Sequence, residues 1–73
     1  MTPIVVRLRE LRIARGLSQQ ELSERAGVRQ AAISELESGK RRRVDLEVLD
    51  RLCVALGVQP GELLERERRR KGK

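Results

Sequence analysis

The side chains able to do chemistry in this chain are hydrogen-bonding groups, not nucleophiles or metal ligands. There is no His and one Cys, which leaves no zinc-ligand set and no Cys/His or Ser/His couple. Neither a paired acid/base site nor a phosphate-cradling loop is visible, so the chain reads as no enzyme and calls for no cofactor or metal. What remains is a cluster of Arg29, Gln30, Ala31, Ser34 and Glu35. Interleaved with them are Val28, Ile33 and Leu36, apolar at helical spacing, which would pin a short helix onto a body and leave its other face free. The N-terminal half of such a face fits a DNA major groove and carries side chains to base edges.

The elements that position this helix have local signals of their own. Ser18 and Glu21 form a capping box that opens a helix over residues 19–26. Gly27 can take the positive φ of a tight helix end, and the small Ser23 lets two helices cross closely. The next helix spans residues 30–37 and is closed by Ser38 and Gly39. Upstream, two readings stand: Thr2 and Pro3 cap and start a helix that runs to Gly16, or Ile4, Val5 and Val6 form an exposed strand, a ready pairing edge, and the helix starts near Arg7. Downstream, Asp45 caps a fourth helix with Leu46, Leu49, Leu52, Cys53 and Leu56 along one face, up to Gly57. Pro60 opens a last helix, supported by Glu62 with Arg66 and Glu65 with Arg69 at i, i+4. The periodicity predicts four or five short helices and no strand-forming alternation in the body. Residues 1–67 form one domain, and residues 68–73 a basic, disordered tail.

At 73 residues, 38% hydrophobic and 38% charged, the chain suits a small helical domain with a densely charged surface. Its net charge of +6 favours a polyanionic partner; six bases and three acids lie in residues 62–73, so the excess is not confined to the tail. The single Cys53 excludes an internal disulfide and reads as core in a reducing compartment. No apolar run reaches the ~20 residues of a membrane span and no signal peptide is visible, which points to the cytoplasm. The absence of aromatic residues argues against single-stranded nucleic acid, whose bases stack on rings, and in favour of duplex.

The run LRELRIARGLSQQELSERAGVRQAAISELESGK followed by DLEVLDRLCVALGVQPGELL resembles the Cro/C1-type, or XRE-like, helix-turn-helix family over nearly the whole chain. The resemblance implies an all-α, lambda-repressor-like bundle of five short helices with the helix-turn-helix at helices 2 and 3. It also implies a transcriptional regulator that works as a dimer at a palindromic double-stranded operator; with no long heptad seam, a weak homodimer that assembles on DNA is expected, its face supplied by the last helices or by Ile4 to Val6. Gln19 matches a phosphate-contacting position and Gln30 a base-reading one, where an amide can bond adenine N6 and N7. Glu35 matches a base-facing position able to accept from cytosine N4, Ala31 and Ala32 offer contact to a thymine methyl, and Ser34 a bond to phosphate or base edge. Arg29 departs from the family's Ser or Thr cap, a loss of about 1 kcal/mol, and could instead reach a phosphate or guanine. Lys40, Arg41, Arg42 and Arg43 follow where the family's loop runs beside the DNA backbone and should neutralise phosphates. Arg12 and Glu37 match a structural ion pair that orients the recognition helix. The leading expectation is a repressor acting by occlusion of a promoter; the alternative is an antitoxin-like protein that binds a toxin partner and autoregulates its operon.

Overall fold

A computed structural model describes residues 4–41 and 43–66 of the chain. In order, the elements are β1 (Ile4–Val6), α1 (Leu8–Ala14), α2 (Gln19–Ala26), α3 (Gln30–Ser38), α4 (Leu46–Leu56), α5 (Pro60–Leu63) and β2 (Leu64–Arg66). The expected helical bundle is present. Each helix contributes one almost fully buried side chain to a common centre: Leu8, Leu22, Ile33, Leu52 and Leu63. Leu17, Ala26, Val28, Ala32, Leu36, Leu49, Cys53, Leu56 and Val58 complete the core, which is hydrophobic throughout. Burial, with Asp50 and Glu62 nearby, pushes the Cys53 thiol pKa up, so it behaves as an apolar packing group.

Local signals place most helix ends. The Ser18 hydroxyl accepts from the Glu21 amide at 3.0 Å while the Glu21 carboxylate accepts from the Ser18 amide at 2.8 Å, a complete capping box. Gly27 adopts φ 68° and ends α2, and the Ser23 hydroxyl donates to the Val28 carbonyl across the turn at 2.5 Å. Asp45 caps α4 by accepting from the Glu47 amide at 2.8 Å. Pro60 opens α5, with the Gln59 amide donating to the Glu62 carboxylate at 2.9 Å.

At the chain ends, the structure departs from helical periodicity. Of the two readings for the N-terminal segment, the extended one holds: Ile4–Val6 is a strand and α1 begins at Leu8, while Thr2 and Pro3 lie outside the described residues. The last helix, predicted from Pro60 past Arg66 on the Glu62–Arg66 and Glu65–Arg69 spacings, stops at Leu63, because β2 pairs antiparallel with β1 in the register Ile4↔Arg66, Val5↔Glu65, Val6↔Leu64. Glu65 accordingly meets Arg7 at 3.0 Å, and its expected partner Arg69 lies outside the described residues, as does the whole tail from residue 68. Arg7 also bonds Glu10 at 2.7 Å, and these two carboxylates hold the Arg7 pKa up. Leu46 is the second correction: it is 78% exposed, since as the first residue of α4 it stands ahead of Leu49, where the helix meets the core.

Candidate nucleic-acid interface

The candidate interface lies on α3, which has one face sealed and one open. Val28, Ala32, Ile33 and Leu36 are buried, whereas Arg29, Gln30, Ala31, Ser34 and Glu35 are all exposed. The burial of Ala32 removes it as a thymine contact and leaves Ala31 as the apolar group on the open face. The helix starts at Arg29 with no side-chain cap, so the departure from Ser or Thr is not replaced by another cap on the protein itself.

Behind α3, Arg12 holds Glu37 in a bidentate pair, Nε to Oε2 at 2.7 Å and Nη2 to Oε1 at 3.1 Å, with Nη1 donating to the Leu17 carbonyl at 2.7 Å. The two side chains are only 12% and 5% exposed. Burial pushes the Glu37 pKa up, but hydrogen bonds from Arg12 and Gln19 and the charges of Arg12 and Arg9 together outweigh it and leave the carboxyl below its ordinary value. Reciprocally, the bond to Glu37 holds the Arg12 pKa up. The fork ties the C-terminal turn of α3 to α1 and to the α1–α2 turn, which fixes the helix against the body.

Gln19 is brought into this cluster. Its amide nitrogen donates to Glu37 Oε1 at 3.0 Å, in a half-buried position at the start of α2. An amide nitrogen carries two protons, so one remains to donate outward from the helix N-terminus. This link, invisible in sequence, connects the expected phosphate contact of α2 to the structural pair of α3.

The loop after α3 folds back over the helix. Gly39 takes φ 79°, the Lys40 amide donates to the Glu35 carbonyl at 3.1 Å, and Arg41 clasps Glu35 Oε1 with Nη2 at 2.9 Å and Nε at 3.2 Å. Glu35 and Arg41, predicted as a base-facing carboxylate and a phosphate contact, thus partner each other. Arg29, Lys40 and Arg43 are exposed and in no ion pair among the described residues; Arg42 lies outside them. Two further arginines that sequence reasoning missed brace the frame. Arg15 donates to the Leu56 carbonyl at 2.5 Å at the end of α4, and Arg51 to the Gly27 carbonyl at 3.2 Å in the turn between α2 and α3. Only the Glu47–Arg51 spacing of i, i+4 hinted at either, and that pair forms at 2.8 Å.

With this geometry in view, the comparisons with known proteins agree. Residues 7–68 match the Cro/C1-type HTH DNA-binding domain. The chain is 39% identical over 62 residues to the HTH-type transcriptional regulator YozG of Bacillus subtilis, covering 85% of this chain and 74% of that protein. Among solved structures it is similar to the restriction-modification controller protein C.AhdI from Aeromonas hydrophila, with TM-score 0.71, 41% identity and coverage of 77% and 83%. It is also similar to the biofilm master regulator SinR in complex with DNA, with TM-score 0.72, 28% identity and coverage of 74% and 86%. A sealed-and-open α3, seated on α2 by a glycine turn and matched over this length, makes the chain a member of the Cro/C1-type helix-turn-helix family of DNA-binding transcriptional regulators.

Proposed function

We propose that the protein is a cytoplasmic, non-enzymatic repressor that occludes promoters by binding a palindromic operator as a homodimer. Helix α3 reads the major groove: Gln30 bonds adenine, Arg29 guanine or phosphate, Ala31 a thymine methyl, and Ser34 a base edge or phosphate, with Glu35 facing the bases. Gln19, Lys40, Arg41, Arg42 and Arg43 neutralise or bond phosphates. The observation that carries this reading is the open face of α3, whose exposed Arg29, Gln30, Ala31, Ser34 and Glu35 stand opposite a face fixed by Ile33, Leu36 and the Arg12–Glu37 fork. The DNA present in the SinR structure supports the same use of the fold. None of the relatives above is named for a toxin partner, and the antitoxin-like reading is not carried forward.

The test is selection from a random duplex library at ~150 mM salt with competitor polyanion, where nonspecific binding is weak. A palindromic motif should be enriched. Gln30→Ala should then change base preference at a cost of about 1–3 kcal/mol at one position, while Arg43→Ala should weaken all sites alike and reduce the salt slope by about one. A library that emerges unenriched would overturn the sequence-specific reading.

A further inference from the structure

We propose that the Glu35–Arg41 clasp is a specificity device: Arg41 is released to a phosphate only where the DNA offers Glu35 a base donor in exchange. A residue that touches no base thereby makes its phosphate contact conditional on sequence. The inference rests on the groove-reading use of α3 proposed above and adds a coupling between two of its contacts.

The geometry of the clasp leaves a way in for a competitor. Both Arg41 bonds, from Nη2 at 2.9 Å and from Nε at 3.2 Å, converge on Glu35 Oε1. Glu35 Oε2 and Arg41 Nη1 have no partner among the described residues. A carboxylate offers about four acceptor sites, so a cytosine N4 amino group can bond Oε2 before Arg41 leaves Oε1. The guanidinium has donors to spare and can likewise meet a phosphate oxygen through Nη1 before it lets go. Neither charge passes through an unpaired state. The backbone is anchored separately: the Lys40 amide and the Ser38 hydroxyl donate to the Glu35 carbonyl at 3.1 and 3.2 Å, and Gly39 turns the chain at φ 79°. The side chains can therefore part while the loop stays docked on α3.

The energetics favour exchange. A pair this exposed is worth about fivefold at most, less than the roughly tenfold or more of one hydrogen bond to a charged group. Where the groove presents the acceptors of guanine or thymine, Glu35 gains nothing by opening and keeps Arg41, and one phosphate contact is forfeited. Arg29, Lys40 and Arg43 are in no ion pair among the described residues, so their contacts with phosphate carry no such condition. Arg41 alone is held by a carboxylate of the open face of α3. Glu37 cannot act in this way, because Arg12 and Gln19 occupy both of its oxygens and it lies on the sealed side.

The test uses the isotope-labelled full chain with the operator recovered by library selection and a scrambled duplex of the same length. The Arg41 Nε–H resonance, identified by its loss in Arg41→Gln, should keep its free-protein position on the scrambled duplex and shift on the operator. Replacing the cytosine at the position where Glu35→Gln alters base preference should return it to the free-protein position. Glu35→Gln should tighten binding to the scrambled duplex at least about threefold and change operator affinity less, so that the ratio of the two affinities falls. In that background Arg41→Gln should cost the same on both duplexes and lower each salt slope by about one. Equal tightening on both duplexes would make Glu35 a simple repulsive charge and overturn the proposal, as would salt slopes that Arg41→Gln leaves unaltered. An unenriched library overturns the sequence-specific reading itself, whereas an enriched motif with the Arg41 signal unmoved on it overturns this coupling alone.

Discussion

Glu35 and Glu37 lie two residues apart on α3, about 200° around its axis, and each is clasped by an arginine through more than one hydrogen bond. The resemblance ends there. Glu37 faces the body, almost wholly buried, with Arg12 and Gln19 as partners; Glu35 faces outward, 49% exposed, with Arg41 34% exposed. The Coulomb interaction is little screened behind the helix and strongly screened in front of it, so the same pair of residue types builds the fold on one side and sets the surface charge on the other. Charge that holds α3 in place is kept away from water, and the charge of the outward pair is left where it can exchange partners.

The largest effect that tests this contrast is on stability. Glu37→Ala strands Arg12 at low exposure and releases Gln19, and should lower the unfolding free energy by about 3 kcal/mol in urea denaturation. A loss below about 1 kcal/mol would place this pair in the same class as an exposed one. Next in size is the pH dependence. The folded-state pKa of Glu37 lies below its ordinary value, so its contribution is fully present above the ordinary carboxylate pKa, about 4, and is lost as pH falls through the folded value. The stability gap between wild type and Glu37→Gln should therefore narrow in acid; a gap that widened would reverse the assigned sign. The smallest stability change belongs to the front. Glu35→Gln should leave stability within about 0.5 kcal/mol while freeing Arg41, so that nonspecific duplex binding tightens and its salt slope steepens by about one. An unchanged slope would mean that releasing Arg41 from Glu35 adds no phosphate contact.

Most of the helical frame was legible because its signals are local. The Ser18–Glu21 box, the Asp45 cap and the positive-φ Gly27 are each settled within a few residues, and the structure reproduces them. Family resemblance marked Arg12 and Glu37 before their contact could be seen. The open face of α3 followed from periodicity, whereas Ala32, offered as a thymine contact through the family resemblance, is buried. The partnering of Gln19 and of Arg41 was not legible, because each depends on which carboxylate a long side chain meets once α3 is docked.

The sequence by itself determined where helices begin and turn and which residues α3 presents, because capping, glycine conformation and the 3.6-residue period act over short spans of chain. Tertiary structure alone decided that residues 64–66 leave the helix. Their i, i+4 charges favour helix by a few tenths of a kcal/mol, and pairing with a strand some sixty residues away, with Glu65 drawn to Arg7, outweighs that preference. Tertiary structure likewise decided that Leu46 stays in water, because helical spacing reports a face but not the point at which another element begins to cover it.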